Sequence, residues 1–194
     1  MTDKSAANQL STNKKIRISP VPESEWTPGQ RELLEPSQKA GTLFNVFTTM
    51  ARNEKLYRAW LPFAGFILRG SSLPPRDREL VILRIGWLCK AEYEWGHHKS
   101  IAKNLGVTDE EIARVAEGPD AKGWTEFESH LLRAVDELRA NARIGDATWQ
   151  ALSKVYDEKL MMELVFTVGE YNLVSMALNS FGVQLEKEFE GFTG

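Results

Sequence analysis

The chain has 194 residues, 42% of them hydrophobic, which fits one globular domain with a sizeable core. Its 24 basic and 27 acidic side chains leave a net charge of −3, so the composition excludes the clustered basic surface that nucleic acids require. No apolar run reaches the ~18 residues of a membrane span, and the opening "MTDKSAANQLSTNKK" lacks the apolar core of a signal peptide. The single cysteine, Cys89, has no internal partner for a disulfide. Together these features lead us to expect a cytoplasmic protein in a reducing compartment, with no membrane and no nucleic acid among its partners.

Residues 1–17 are polar and aperiodic and read as a mobile tail, leaving 18–194 as one domain. Thr27 followed by Pro28 has the chemistry of an N-cap and first helical position. "TLFNVFTTMARN" carries Leu43, Val46, Phe47 and Met50 at helical spacing. "EKLYRAWLPFAGFILRG" continues the pattern, with a bend or restart expected at Pro62 and a stop at Gly70. A helix starting at Pro75 runs on through "AEYEWGHHKSIAKNLG" to Gly106. Thr108 and Glu111 have the spacing of a capping box. Further helices are predicted over 124–142, 146–156 and 158–188. Strand-like alternation is absent, so the expected fold class is all-α, a compact multi-helix bundle of seven or eight helices.

The stretch "AEYEWGHH", residues 91–98, carries the densest chemistry. With Glu94 at zero and steps of about 100°, His98 falls about 40° away, in one stripe with Ala91, Ile101 and Leu105. Glu92, Gly96, Lys99 and Lys103 form the opposite face, read as solvated. His97 lies on the shoulder near Tyr93. A carboxylate on an apolar stripe is costly unless it is paired, and His98 at i+4 is within reach. Such a pair can serve acid–base chemistry near neutral pH, or it can be a structural hydrogen bond. For an arbitrary Glu–His pair the structural role is the commoner one.

Other chemistries fit less well. Glu94-x-x-His97 has di-iron spacing, but a second such motif and two further glutamates are lacking, so no metal is expected. Cys89 has no resolving partner and reads as a small hydrophobe. Arg78 and Glu79 belong to a charged first turn. Arg84, set between Leu83 and Ile85, is a candidate for binding a substrate carboxylate or for clamping an internal one. Trp60, Phe63, Phe66, Trp87, Tyr93 and Trp95 recur at helical spacing, and one or two of them could line an apolar pocket.

The residues "LPPRDRELVILRIGWLCKAEYEWGHHKSIAKNLGVTDEEI" resemble the carboxymuconolactone decarboxylase family, which has an alkyl hydroperoxidase D-like redox branch. "NVFTTMARNEKLYRAWLPFAGFILRG" and "LVFTVGEYNLVSMALNSFGVQLE" extend the likeness over about residues 40–188. The redox signature is a glutamate, a Cys-x-x-Cys beginning twelve residues on, and a histidine four residues after the second cysteine. On this chain the glutamate is Glu79 and the histidine is His98, while Ala91 and Glu94 hold the cysteine positions. Disulfide cycling needs two thiols, so the resemblance implies the decarboxylase-like branch. It implies an alkyl hydroperoxidase D-like bundle, cofactor-free acid–base decarboxylation or related lyase chemistry on a small carboxylate or lactone, and a homo-oligomer (dimer, trimer or hexamer). His98, Glu94 and Glu79 would be the catalytic set. Arg84, Arg78, Tyr93, Trp95 and His97 would bind substrate. The alternatives are an antioxidant peroxidase using Cys89 and a non-catalytic ligand-binding oligomer.

Overall fold

A computed structural model describes residues 15–192. Among them are nine α-helices and no strand: α1 (Pro28–Lys39), α2 (Asn45–Met50), α3 (Glu54–Gly65), α4 (Pro75–Leu88), α5 (Glu92–Asn104), α6 (Asp109–Glu117), α7 (Glu126–Asn141), α8 (Asp146–Leu152) and α9 (Glu158–Phe181). Residues 1–14 of the expected tail lie outside the described residues. Just after them, the Arg17 amide donates to Phe181 O at the end of α9.

The capping chemistry forms as the residues dictate. The Thr27 side chain accepts from the Gln30 amide in a capping box with Pro28 in the first turn, and Thr108 and Glu111 close another at α6. Pro75 opens α4. Pro62 neither ends nor restarts its helix. α3 runs past it and then loosens into a π-helical turn, Phe66–Gly70.

α4 is the central element. From Glu79 to Gly86 every residue is buried. Val81, Ile82 and Ile85 pack into a core with Leu131 and Val135 of α7 and Leu164 and Val168 of α9. Leu80 and Leu83 face a second core with Trp95, Ala102, Val115 and Leu132. Each such side chain contributes about 1.5–3 kcal/mol when removed from water.

The structure departs from the expected helices at two ends. The helix expected to run from 75 to 106 is two helices. Lys90 adopts a left-handed backbone (φ 51°) and the chain reverses, so that α5 packs back on α4. α5 lies close on α4 at Gly86, where a Cβ would meet Glu94 Cβ at an ordinary van der Waals distance of 3.5 Å. The last helix ends at Phe181 rather than 188, because Gly182 takes a left-handed conformation (φ 72°). The following residues fold over α5, placing Leu185 against Gly96 and Glu190 Oε2 2.8 Å from Lys99 Nζ. The face read as solvated is therefore partly covered: Gly96 and Lys99 are buried, while Leu105 on the expected inner stripe is exposed.

Arg84 is a structural clamp. Its Nε and Nη2 donate to the two Asp136 carboxylate oxygens at 2.7 and 2.8 Å, and Nη1 donates to Val115 O and Ala116 O at 2.9 and 3.1 Å. It thus ties α4 to α7 and satisfies carbonyls at the end of α6. Gly118 (φ 115°) leaves room for it, since a Cβ there would come 2.9 Å from Nη2. Arg84→Ala is expected to cost about 3 kcal/mol in urea unfolding. Arg84→Lys should recover only part of that, because an ammonium lacks the two-pronged geometry.

Candidate active site

The reversal at Lys90 brings Glu79 of α4 beside His98 of α5. In one continuous helix, nineteen residues would separate them by about 28 Å. Here His98 Nδ1 donates to Glu79 Oε2 at 2.6 Å, with both residues buried. The other Glu79 oxygen accepts from Arg78 Nε at 3.0 Å. His98 Nε2 lies 3.4 Å from Glu94 Oε2, the i,i+4 neighbour. The Tyr171 ring from α9 meets the imidazole edge-on, with centroids 4.8 Å apart.

Glu94 and His98 form part of the wall of a cavity of about 210 Å³. Most of that wall is apolar, with Val46, Phe47, Leu61 and Val174 among the lining. Glu170 of α9 adds a further carboxylate, and Trp60 Nε1 of α3 donates to it at 2.5 Å. Arg69, on the π-helical turn, also lines the cavity and is largely exposed. Neither Glu170 nor Arg69 was picked out from the sequence. Glu170 had a usable signal, an acidic residue among apolar ones in "VFTVGEYNLV". Arg69 had none.

The other expected site residues divide. His97 and Tyr93 reach the cavity but are held by one acceptor. His97 Nε2 donates to Glu186 Oε2 at 2.6 Å, and the Tyr93 hydroxyl donates to Glu186 Oε1 at 3.0 Å. The Phe44 and Phe189 rings flank His97. Arg78 does not line the cavity and braces Glu79 from behind. Trp95 packs with Trp87 and Phe192 in the core, and Arg84 is spent on Asp136, so neither faces the cavity. Cys89 also lies outside it. Its thiol contacts Asn172 Oδ1 at 3.2 Å, and burial, outweighing Arg139, keeps it protonated. Among the described residues no three His, Cys, Asp or Glu side chains meet in a metal-binding arrangement.

The electrostatics separate these acids. Burial would lower the His98 pKa, but the Glu79 charge and hydrogen bond, with Glu94 added, outweigh it and hold the imidazole above its ordinary 6.5. Burial would raise Glu79, yet His98 and then Arg78 bring it below the usual carboxylate value. For Glu94 burial prevails over His98 and His97, with Glu170 and Glu79 adding to it, and the pKa rises. Glu170 is raised by burial against the Trp60 hydrogen bond. The arrangement is an ionised positioning carboxylate, a readily protonated imidazole and two carboxyl groups biased toward the acid form.

These features define a class: an all-α bundle with a buried, hydrogen-bonded Glu–His pair beside a small, mostly apolar cavity. Residues 54–137, which include Glu79, Glu94 and His98, match the model of the carboxymuconolactone decarboxylase family. Similar solved structures carry the alkyl hydroperoxidase D-like fold. One is an alkylhydroperoxidase AhpD core protein, uncharacterized and peroxidase-related, from Ralstonia eutropha JMP134 (TM-score 0.75, 21% identity, covering 88% of this chain and 94% of that one). Another is an uncharacterized peroxidase-related protein from Silicibacter sp. TM1040 (TM-score 0.74, 16% identity, 89% and 94%). A third is the debrominase Bmp8 in complex with 2,3,4-tribromopyrrole (TM-score 0.70, 19% identity, 88% and 91%). Curated proteins give no sequence match.

His98 should titrate above 6.5 in an NMR pH series, and its pKa should fall in Glu79→Gln. Because the folded-state pKa of His98 is raised, its charged form contributes stability that is fully present below pH 6.5, down to the acid range where Glu79 gains a proton, and is lost as pH rises through the folded-state value. The stability gap between wild type and His98→Gln in urea should therefore narrow as pH is raised from below 6.5. A gap independent of pH would show that the imidazole is not charged in the fold.

Proposed function

We propose that the chain is a small-molecule enzyme whose working acid is His98, acting by decarboxylation or related lyase chemistry on a small unsaturated carboxylate or lactone. The observation that carries this reading is the buried His98 held between Glu79 and Glu94 on the wall of the cavity. Glu79 is a positioning residue: it fixes the imidazole through Nδ1 and favours its charged form. That leaves Nε2 to exchange a proton beside Glu94. In a decarboxylation the substrate carboxylate leaves as CO₂ and its electron pair passes to a conjugated carbonyl. The proton returned to carbon comes from His98 Nε2, and solvent re-protonates the imidazole. The cavity suits a small, mostly apolar molecule, and the small ring bound by the debrominase relative is of a size that fits this reading.

Arg84 and Arg78 are both engaged internally, so the substrate anion falls to Arg69. No hydrogen bond or ion pair of its guanidinium is seen among the described residues, and it stands on the cavity wall with Glu94 and His98. A guanidinium there would orient a carboxylate and leave the departing bond next to the apolar wall. The peroxidase alternative gains nothing from Cys89, whose thiol is kept protonated and off the cavity.

The test is CO₂ release from a panel of small unsaturated carboxylates and lactones. For an accepted substrate, His98→Gln and Glu94→Gln should lower kcat by roughly 10²–10⁴ while the chain stays folded. Arg69→Ala should raise KM with kcat largely kept. Compounds bound by wild type but never turned over would assign the cavity to a non-catalytic binder instead. Turnover untouched in His98→Gln would remove the imidazole from the chemistry.

A further inference from the structure

α9 carries two buried acids on the inner side of a largely apolar helix, Glu163 and Glu170. No helix among the described residues is long and apolar enough to cross a membrane, so it is the bundle that takes both from water. The two are partnered differently. Glu163 accepts from the Ser71 hydroxyl and the Ser72 amide at 2.8 and 2.6 Å. Glu170 is 4% exposed, and the Trp60 indole N–H donates to its Oε1. Among the described residues nothing bonds to its Oε2. Nor is that oxygen sealed inside the protein. The enclosed side-chain atoms without a partner among the described residues are Thr49 Oγ1, His130 Nδ1 and Ser175 Oγ. Glu170 Oε2 therefore opens on the cavity whose wall it shares with Glu94 and His98.

A carboxyl group so placed is suited to donate. Ionised, it would be a buried charge offset by one neutral N–H, which is a costly state. Burial accordingly raises its pKa against the Trp60 hydrogen bond, with no cation to oppose it. In the acid form the indole N–H holds Oε1 as the carbonyl oxygen, which leaves the O–H on Oε2 toward the cavity. A fixed O–H on a mostly apolar wall stabilises an oxygen that gains negative charge during a reaction.

We propose that Glu170 is a second catalytic acid of this site, donating from Oε2 to the carbonyl oxygen of a substrate that carries both a carbonyl and a carboxylate. This rests on the decarboxylation reading above and narrows its substrate class to small keto acids and carboxylated lactones. The bond between the substrate carbon and its carboxylate breaks and CO₂ leaves. The bonding pair moves through the conjugated system to the carbonyl oxygen, which takes the Oε2 proton. An enol and a Glu170 carboxylate result. His98 Nε2 then gives its proton to carbon, the enol proton returns to Glu170, and solvent restores the imidazolium. The net change is one solvent proton in place of CO₂. α9 and α5 bring the two acids to one substrate, since Tyr171, the residue after Glu170, sets its ring edge-on against His98.

Levulinate and pentanoate test this, being the same five-carbon carboxylate with and without a ketone. An apolar wall alone would favour pentanoate, because a ketone without a donor is costly to desolvate. Wild type should instead bind levulinate about tenfold more tightly by calorimetry. Glu170→Gln should keep most of that preference, because Trp60 holds the amide oxygen and turns the amide N–H toward the cavity. Glu170→Met should lose it. At about pH 6, where an ordinary carboxyl is ionised, the infrared difference between wild type and Glu170→Gln should show the loss of an unionised carboxyl. For a keto acid that wild type decarboxylates, Glu170→Met should lower kcat by roughly 10²-fold and Glu170→Gln by less. The proposal is overturned if wild type binds the two probes alike, prefers pentanoate or binds neither. It is also overturned if the infrared difference shows a carboxylate lost instead, or if Glu170→Met keeps the preference or the wild-type kcat. If Glu170→Met does not fold, the infrared difference and the wild-type preference decide. Neither of those needs turnover, so they report on Glu170 even if no keto acid releases CO₂, a result that would overturn the decarboxylation reading by itself.

Discussion

The hydrogen bond between His98 and Glu79 is the constraint around which the rest of the molecule is arranged. It joins the two helices of the central hairpin where Glu79 is fully buried and His98 is exposed only at the cavity wall. Burying a carboxylate alone would cost several kcal/mol, and burying an imidazolium alone would be comparably unfavourable. Together, and with Arg78 on the second Glu79 oxygen, they satisfy each other. The surrounding backbone is built to permit this. Lys90 takes a left-handed conformation where the chain reverses. Arg84 secures the far side of α4 with a separate ion pair, so the helix is fixed on both flanks.

Once His98 is fixed, its environment sorts the neighbouring acids by their access to cations. Glu79 touches both His98 and Arg78 and stays ionised. Glu94 touches only the more distant edge of the ring, and Glu170 touches only an indole N–H, so burial decides for both. The result is a wall on which two carboxyl groups with raised pKa face a mostly apolar space. A thiol pair would supply electrons at this position. Here Ala91 and Glu94 stand at the two positions, and neither side chain can take part in thiol–disulfide exchange.

Much of the fold was legible because its signals are local. Thr27, Pro28, Pro75, Thr108 and Glu111 announce helix starts whatever lies around them, and helical periodicity without alternation sets the class. Glu94 and His98 were legible because a polar residue on an apolar stripe shows on a helical wheel, while Glu79 needed the family motif. The break at Lys90 was hidden because the residue there is neither Gly nor Asn, and it is tertiary packing that forces its left-handed backbone. The sequence leaves Arg84 between two readings, a substrate anion or an internal carboxylate, for a related reason. A buried arginine demands an acceptor, but the sequence does not say whether that acceptor is a ligand or, as here, Asp136 fifty-two residues on. Glu170, Arg69 and Glu186 join the site from helices and loops far along the chain. Lys99 and Gly96 changed sides because the segment after Gly182 folds over them.

α9 shows how one sequence can carry two messages. Its inward carboxylates serve the interior, Glu163 closing the loop before α4 and Glu170 facing the cavity, so the positions that would ordinarily make a polar outer face are not where its charge lies. Periodicity alone reads such a helix as buried all round, and that reading is half supplied by the bundle. The remaining half is a row of exposed apolar side chains, Met162, Phe166, Leu173 and Met176. The same short segment, Phe63 to Arg69, borders both that surface and the cavity. Phe66, exposed on one side of the π-helical turn, and Arg69, on the cavity wall on the other, thus sit within one turn of each other.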